Sequence, residues 1–251
     1  QSPAKIEPEG LHALLGQHEP RADPHDGLIA EPEERDSLGA VVDPLQDVRV
    51  REALYRAIDI EAIKKSVMRG LSLPTGTMIA PQVNGYTKEL GQRVPYDLAK
   101  AKALLKEAGY ENNFEVTLDC PNNRYINDEA ICQAIVAMWA KAGVKAKLNA
   151  MPRATFFPKV GNNDSSMYLF GWGVPTFDAY YSLEALIHSK GEGANGSFNY
   201  GNYSNPQVDK LIDAIKTETD DKKRTEMIHQ ALAQFAKDFG AIPLHDQIIP
   251  W

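Results

Sequence analysis

The residues best suited to chemistry fall into three groups, and the spacing within each limits what it could do. Gly171-Trp172-Gly173 sets a large flat ring between two glycines, so that the backbone can approach a ligand while the indole faces a cleft; a core tryptophan is the alternative. Asp178 follows at a helix start, where a carboxylate caps backbone N–H groups and could also meet a ligand's charge. Asn199, Tyr200, Asn202 and Tyr203 bring amides and phenols to one loop, the mixture that holds polar solutes, although loops without ligands carry it too. The candidate ligand-binding residues are therefore Trp172, Asp178, Asn199, Tyr200 and Tyr203.

The catalytic inventory is thinner. No Gly-x-Ser-x-Gly elbow and no phosphate loop occurs, and Gly191-Glu192-Gly193-Ala194-Asn195-Gly196 has dinucleotide spacing but follows a helix and opens a loop. His12, His18, His25, His188, His229 and His245 form no pair one helical turn apart, so no dedicated metal site is expected; the first three, with nearby acids, could hold a metal only adventitiously. His245-Asp246 is read as packing at the end of a strand rather than relaying protons. Arg49 and Arg51 are read as pairing with neighbouring carboxylates on a helix surface. No catalytic residue, no cofactor and no enzyme activity is expected.

The elements that must position these residues start after an unusual beginning. Residues 1–46 hold ten acidic and three basic side chains and six of the sixteen prolines, which leaves 24 charges of each sign in the remainder. With no sustained apolar period, residues 1–42 read as an acidic, Pro-rich arm, extended or poorly ordered, or as the remnant of another lobe packed through Leu11, Leu14, Leu15, Leu28 and Ile29. The neutral remainder argues against a nucleic-acid partner and against attraction to an anionic membrane. No apolar run approaches the roughly 20 residues that span a bilayer, so no membrane insertion is expected. Residues 1–20 lack the pattern of a secretion signal, which leaves the compartment open.

From Asp47 onward the periodicity becomes helical. Val50, Leu54, Ala57 and Ile58 line one face; Asp59 caps a second helix and Asp97 a third that Gly109 ends. Phe114, Val116 and Leu118 alternate as a strand, Ile131, Ile135, Met138 and Trp139 return to helical spacing, and Val144, Ala146 and Leu148 alternate again. This order predicts a parallel pair joined by a crossover helix. A strand over 167–170, a helix over 178–187, a helix capped by Asn205 with Pro206 in its first turn, another through Phe235, and a strand over 241–249 complete an α/β fold with a mixed sheet. Cys120 ends a strand and Cys132 sits on the apolar side of a helix; two buried thiols are the preferred reading, a single disulfide the alternative.

Four motifs in order then resemble one family. They are Asp47-Val48-Arg49-Val50-Arg51-Glu52-Ala53-Leu54; Tyr96-Asp97 running to Glu107-Ala108-Gly109-Tyr110; Gly171-Trp172-Gly173 with an acid after it; and Tyr203-Ser204-Asn205-Pro206 followed by Asp209. Over residues 43–251 the chain resembles the peptide, dipeptide and nickel class of extracytoplasmic solute-binding proteins of ABC importers. The resemblance implies the second lobe of a type II periplasmic-binding-protein-like fold, with the first lobe largely absent. It implies a periplasmic protein that traps a peptide or similar small polar solute by lobe closure and delivers it to an ABC permease. An isolated lobe acting as a protein-interaction module is the alternative. Peptide-binding relatives place an aspartate three residues after the tryptophan; here that position is Pro175, which weakens the peptide reading unless Asp178 reaches the same charge.

Overall fold

The computed structural model describes residues 9–15, 43–111 and 114–248. In chain order they form β1 (Glu9–Leu15), α1 (Val48–Arg56), α2 (Ile60–Ser66), β2 (Ser72–Pro74), α3 (Leu98–Glu107), β3 (Glu115–Pro121) and α4 (Asp128–Lys141). There follow β4 (Lys145–Met151), α5 (Arg153–Gly161), β5 (Met167–Gly173), α6 (Tyr180–Ser182) continued by a π turn over Leu183–Ile187, α7 (Pro206–Thr217), α8 (Asp221–Lys237) and β6 (Ala241–Gln247). The six strands make one sheet in the order β2-β6-β1-β5-β3-β4. β3 runs parallel to β4 and to β5, as the strand–helix–strand pattern predicts, whereas β1 is antiparallel to both β5 and β6.

Helix starts follow the sequence closely because capping is local. The side chains of Asp47, Asp59, Asp97, Asn205 and Asp220 each accept a backbone N–H of the first turn that follows. The alternation of β5 then divides the interior between the two faces of the sheet. Met167 and Leu169 join Leu54, Leu118, Ile135 and Trp139 on one face; Tyr168, Phe170 and Trp172 join Phe156, Ile212 and Ile228 on the other. Trp139 satisfies its buried indole N–H on the carbonyl of Leu54 at 2.9 Å, which ties α4 to α1.

Three expectations are corrected. The stretch Glu9–Leu15, read first as part of an extended or poorly ordered arm and alternatively as a remnant packed on the body through Leu11, Leu14 and Leu15, is a strand at the centre of the sheet. Gly10 and His12 break the continuous apolar run by which a central strand is recognised in a sequence. Leu11, Leu14 and Leu15 fall on this strand, while Leu28, Ile29, His18, His25 and the acidic cluster at 31–36 lie outside the described residues. Arg51 is not a surface ion pair. It is buried and donates to the carbonyls of Leu45, Gln46 and Asp238, where it joins the start of α1 to the end of α8. Arg49, by contrast, pairs with Asp47 as expected.

The third correction concerns the cysteines. Cys120 and Cys132 are disulfide-bonded, not free, with Cα atoms 6.5 Å apart and both side chains fully buried. The turn after β3 folds α4 back against that strand, which brings the two Cβ atoms within bonding range, a proximity that twelve residues of sequence separation do not reveal.

Candidate functional site

A groove of about 540 Å3 opens where β3 and β5 end. Loops that follow parallel strands gather at the carboxyl edge of a sheet, the position where open α/β folds place ligands. β5 contributes Phe170, Gly171, Trp172 and Gly173, and its continuation adds Val174 and Pro175. The loop after β3 contributes Arg124 and Tyr125, and Phe157, Tyr181 and Phe198 close the sides. Six aromatic rings therefore line the groove, and Arg124 is the one formally charged side chain among these lining residues.

Each wall has a local cause. At Gly171 a β-carbon would lie 2.5 Å from Cε1 of Tyr125, so the missing side chain is what allows that ring to lie over the strand. The phenol of Tyr125 reaches the carbonyl of Gly171 at 3.4 Å, and the Arg124 guanidinium stands 4.8 Å above the Tyr125 ring. Asp128, first residue of α4, accepts the backbone N–H groups of Arg124 at 2.9 Å and Tyr125 at 3.0 Å. Trp172 stacks on Tyr181 at 5.2 Å between ring centres, packs near Phe198, and donates its indole N–H to the Ser182 hydroxyl at 3.1 Å. It is only 8% exposed, so the cleft and core readings of this residue describe two edges of one ring.

The other four candidates lie behind or beside the groove. Tyr200 is half-buried with its ring edge against Tyr168, Phe170 and Phe198, and burial pushes its phenol pKa upward. Asn199 latches its loop: its amide donates to the carbonyls of His188 and Tyr203 and accepts the N–H of Tyr203. Tyr203 donates to Asp238 at 2.6 Å; burial first, and then this bond to a carboxylate, hold its phenol protonated far into the alkaline range. The five are thus not brought together as one ligand shell.

Asp178 is engaged on both oxygens. Arg224 donates to it twice, at 2.8 and 2.9 Å, Asn84 donates at 3.0 Å, and the N–H of Tyr180 adds a capping bond. Burial on its own would raise this pKa, but the hydrogen bonds from Arg224 and Asn84 outweigh it and hold the carboxyl below the usual carboxylate range. The stabilisation is present above the unfolded value of about 4 and is lost as pH falls through the lower folded value. Arg224→Ala is therefore expected to destabilise the protein by about 1–2 kcal/mol at pH 7, a figure moderated by partial exposure. The gap between variant and wild type should narrow as the pH falls below the usual carboxylate range and Asp178 takes up a proton, measured by urea unfolding at neutral and at acid pH.

Sequence reasoning missed Arg124, Tyr125, Phe157, Tyr181 and Phe198. Tyr125 and Arg124 had a usable signal, since they follow directly on a strand of the parallel pair, at the edge where such sheets bind ligands. The remaining three come from separate elements and carried none. Among the described residues no group of histidine, cysteine, aspartate and glutamate side chains is arranged to hold a metal ion, and no helix is long and apolar enough to cross a membrane.

Comparison with known proteins agrees with this geometry. Residues 32–194 match the model of the bacterial extracellular solute-binding proteins, family 5. The chain is 32% identical over 213 residues to a glutathione-binding protein of Salmonella typhimurium, covering 83% of this chain and 41% of the relative. It is also 32% identical over 207 residues to a dipeptide-binding protein of Escherichia coli, covering 81% of this chain and 36% of the relative. The structure of HbpA2 from Haemophilus parasuis superposes with a TM-score of 0.80 at 25% identity, covering 97% of this chain and 43% of that one. The chain thus spans about two fifths of the length of these relatives, and the part it spans has the mixed α/β architecture of a type II periplasmic-binding-protein-like fold. These matches place the chain in the bacterial extracellular solute-binding proteins, family 5, a family of binding proteins rather than enzymes.

Proposed function

We propose that this chain is the C-terminal substrate-binding lobe of the solute-binding component of an ABC importer. It captures a peptide or similar small polar solute by lobe closure and passes it to the membrane permease. Residues 43–251 make up most of this lobe, and Glu9–Leu15 adds the strand β1 to its sheet. The carrying observation is the aromatic groove at the ends of β3 and β5, a concave apolar surface with a few convergent polar groups. In this reading Trp172 contacts the solute, Tyr200 backs the aromatic wall, and Asp178, Asn199 and Tyr203 act through the loops they hold.

A periplasmic, extracytoplasmic location is part of the proposal. A buried disulfide favours an oxidising compartment, and the family is described as extracellular. With Pro175 at the rim and Asp178 engaged by Arg224, a solute's ammonium finds no free carboxylate among the groove's lining residues on this lobe.

The test uses protein purified from its native host. Mass spectrometry identifies the co-purifying solute, and calorimetry then follows the melting temperature as that solute is added back. A solute at one hundred times its dissociation constant stabilises a binding protein by about 2.7 kcal/mol, and the solute is recovered chemically unchanged. In Trp172→Ala the thermal shift should vanish. Steady turnover of the solute, or a shift unaltered by Trp172→Ala, overturns the reading.

A further inference from the structure

The disulfide and the groove are joined through one loop. Residues 121–131 run between Cys120, in β3, and Cys132, in α4, and this segment carries two groove-lining residues, Arg124 and Tyr125. Its middle turns through Asn127, whose backbone is left-handed at φ 57°, a conformation that a non-glycine residue adopts at a cost. Sγ of Cys120 lies 3.4 Å from the carbonyl oxygen of Asp128. The carboxylate of that same Asp128 accepts the N–H groups of Arg124 and Tyr125 and, at 3.0 Å, of Glu129. Sulfur, Asp128 and the two groove residues thus form a continuous contact path.

We infer that Cys120 and Cys132 are positioning residues for the groove: their disulfide fixes Asp128 at the start of α4, and Asp128 in turn holds Arg124 and Tyr125 in place before any solute arrives. This inference rests on the proposed role of the groove. Other anchors of the segment include the packing of Tyr125 and Ile131 in the core and hydrogen bonds from Asn127 to the carbonyl of Val67, Gln247 to the carbonyl of Ile126, Tyr125 to the carbonyl of Gly171, the N–H of Asn122 to the carbonyl of Met151 and the N–H of Arg153 to Asn123. Water competes for the hydrogen bonds among these, but not for a covalent bond buried at both ends. Pre-ordering a wall in this way removes the entropy that binding would otherwise lose in ordering it.

The experiment compares the wild type with Cys120→Ala/Cys132→Ala by site-resolved amide hydrogen exchange at a temperature where circular dichroism shows both fully folded. Ile215→Ala, in the core between α7 and the sheet, serves as a control for a general loss of stability. The amides of Arg124 and Tyr125 should exchange at least tenfold faster in the cysteine variant, with those of β4 changing little. In the control, the same two amides should change no more than the β4 amides do. Exchange at Arg124 and Tyr125 that is unchanged, or that rises only in step with β4, overturns the inference.

This readout needs no solute. Failure here leaves the groove reading standing, whereas an unaltered thermal shift in Trp172→Ala removes the groove reading and leaves the loop result intact.

Discussion

Replacing Asp246 by asparagine is expected to stabilise the protein by about 4 kcal/mol at pH 8, while leaving stability near pH 4 almost unchanged. Asp246 is buried near the end of β6, opposite Leu73 on one side and Gly10 on the other, and burial raises its carboxyl pKa to about 7. In the unfolded chain the same group ionises near pH 4. Between those values the folded state keeps a proton that the unfolded state releases, so stability falls as pH rises, and the loss is complete above about pH 7. An asparagine has no proton to lose. It occupies the same volume and stays neutral throughout.

His245 makes the comparison sharper, because its slope has the opposite sign. It is fully buried, neither ring nitrogen has a hydrogen-bond partner among the described residues, and burial first, with the nearby Arg93 guanidinium second, lowers its pKa to about 4. Between pH 4 and the unfolded value of about 6.5 the unfolded chain binds the extra proton, so this residue makes stability rise with pH by about 3 kcal/mol. In the wild type the two neighbours nearly cancel over that range. Asp246→Asn should expose the histidine slope, and His245→Gln the falling aspartate slope, in urea unfolding at pH 4, 6.5 and 8. Three parallel stability curves would show that neither group is held as the structure places it.

The second large effect is expected at Asp238. Its carboxylate accepts from Tyr203 at 2.6 Å, Asn205 at 2.8 Å and Gln234 at 2.7 Å, and its backbone carbonyl accepts the buried Arg51 guanidinium. Asp238→Ala removes three acceptor contacts at once and leaves the Tyr203 hydroxyl in a partly buried site without a partner, a loss of about 3 kcal/mol. Tyr203→Phe should cost about 1.5 kcal/mol, since it deletes one charge-assisted bond and keeps the ring against Phe235. The double variant should be less destabilised than the sum of the two single changes by about 1 kcal/mol, the coupling expected of groups in direct contact. Strict additivity in thermal or urea unfolding would contradict the hydrogen bond. The test also bears on Tyr203 as a frame residue, because its hydroxyl is directed to Asp238.

How much could be read beforehand varies with the range of the signal. Helix starts at Asp47, Asp59, Asp97 and Asn205 were legible because a cap needs only the residues that follow it. The parallel pair β3 and β4 was legible because a crossover helix between two alternating runs leaves few topologies. Trp172 was legible as a candidate because two flanking glycines in a strand mark a close approach, and it does line the groove. Its indole is nonetheless bound to Ser182, ten residues on, which no spacing rule shows.

What depended on distant partners was not legible. Asp178 was a candidate for a ligand's charge until Arg224, 46 residues later, is seen to lie against it. Arg51 looked like a surface cation, yet it meets the carbonyl of Asp238 across 187 residues. The cysteines looked like separate thiols until the turn after β3 brings them together. The sequence by itself therefore determined most of the helices, though not α5, most of the strands, the fold class and the one tryptophan around which the groove is built, since these depend on neighbours within a turn or a strand. Only the tertiary structure decided where Glu9–Leu15 inserts, how the disulfide forms, and which polar side chains are already engaged, because burial and partner choice are fixed by elements that meet only when the sheet has closed.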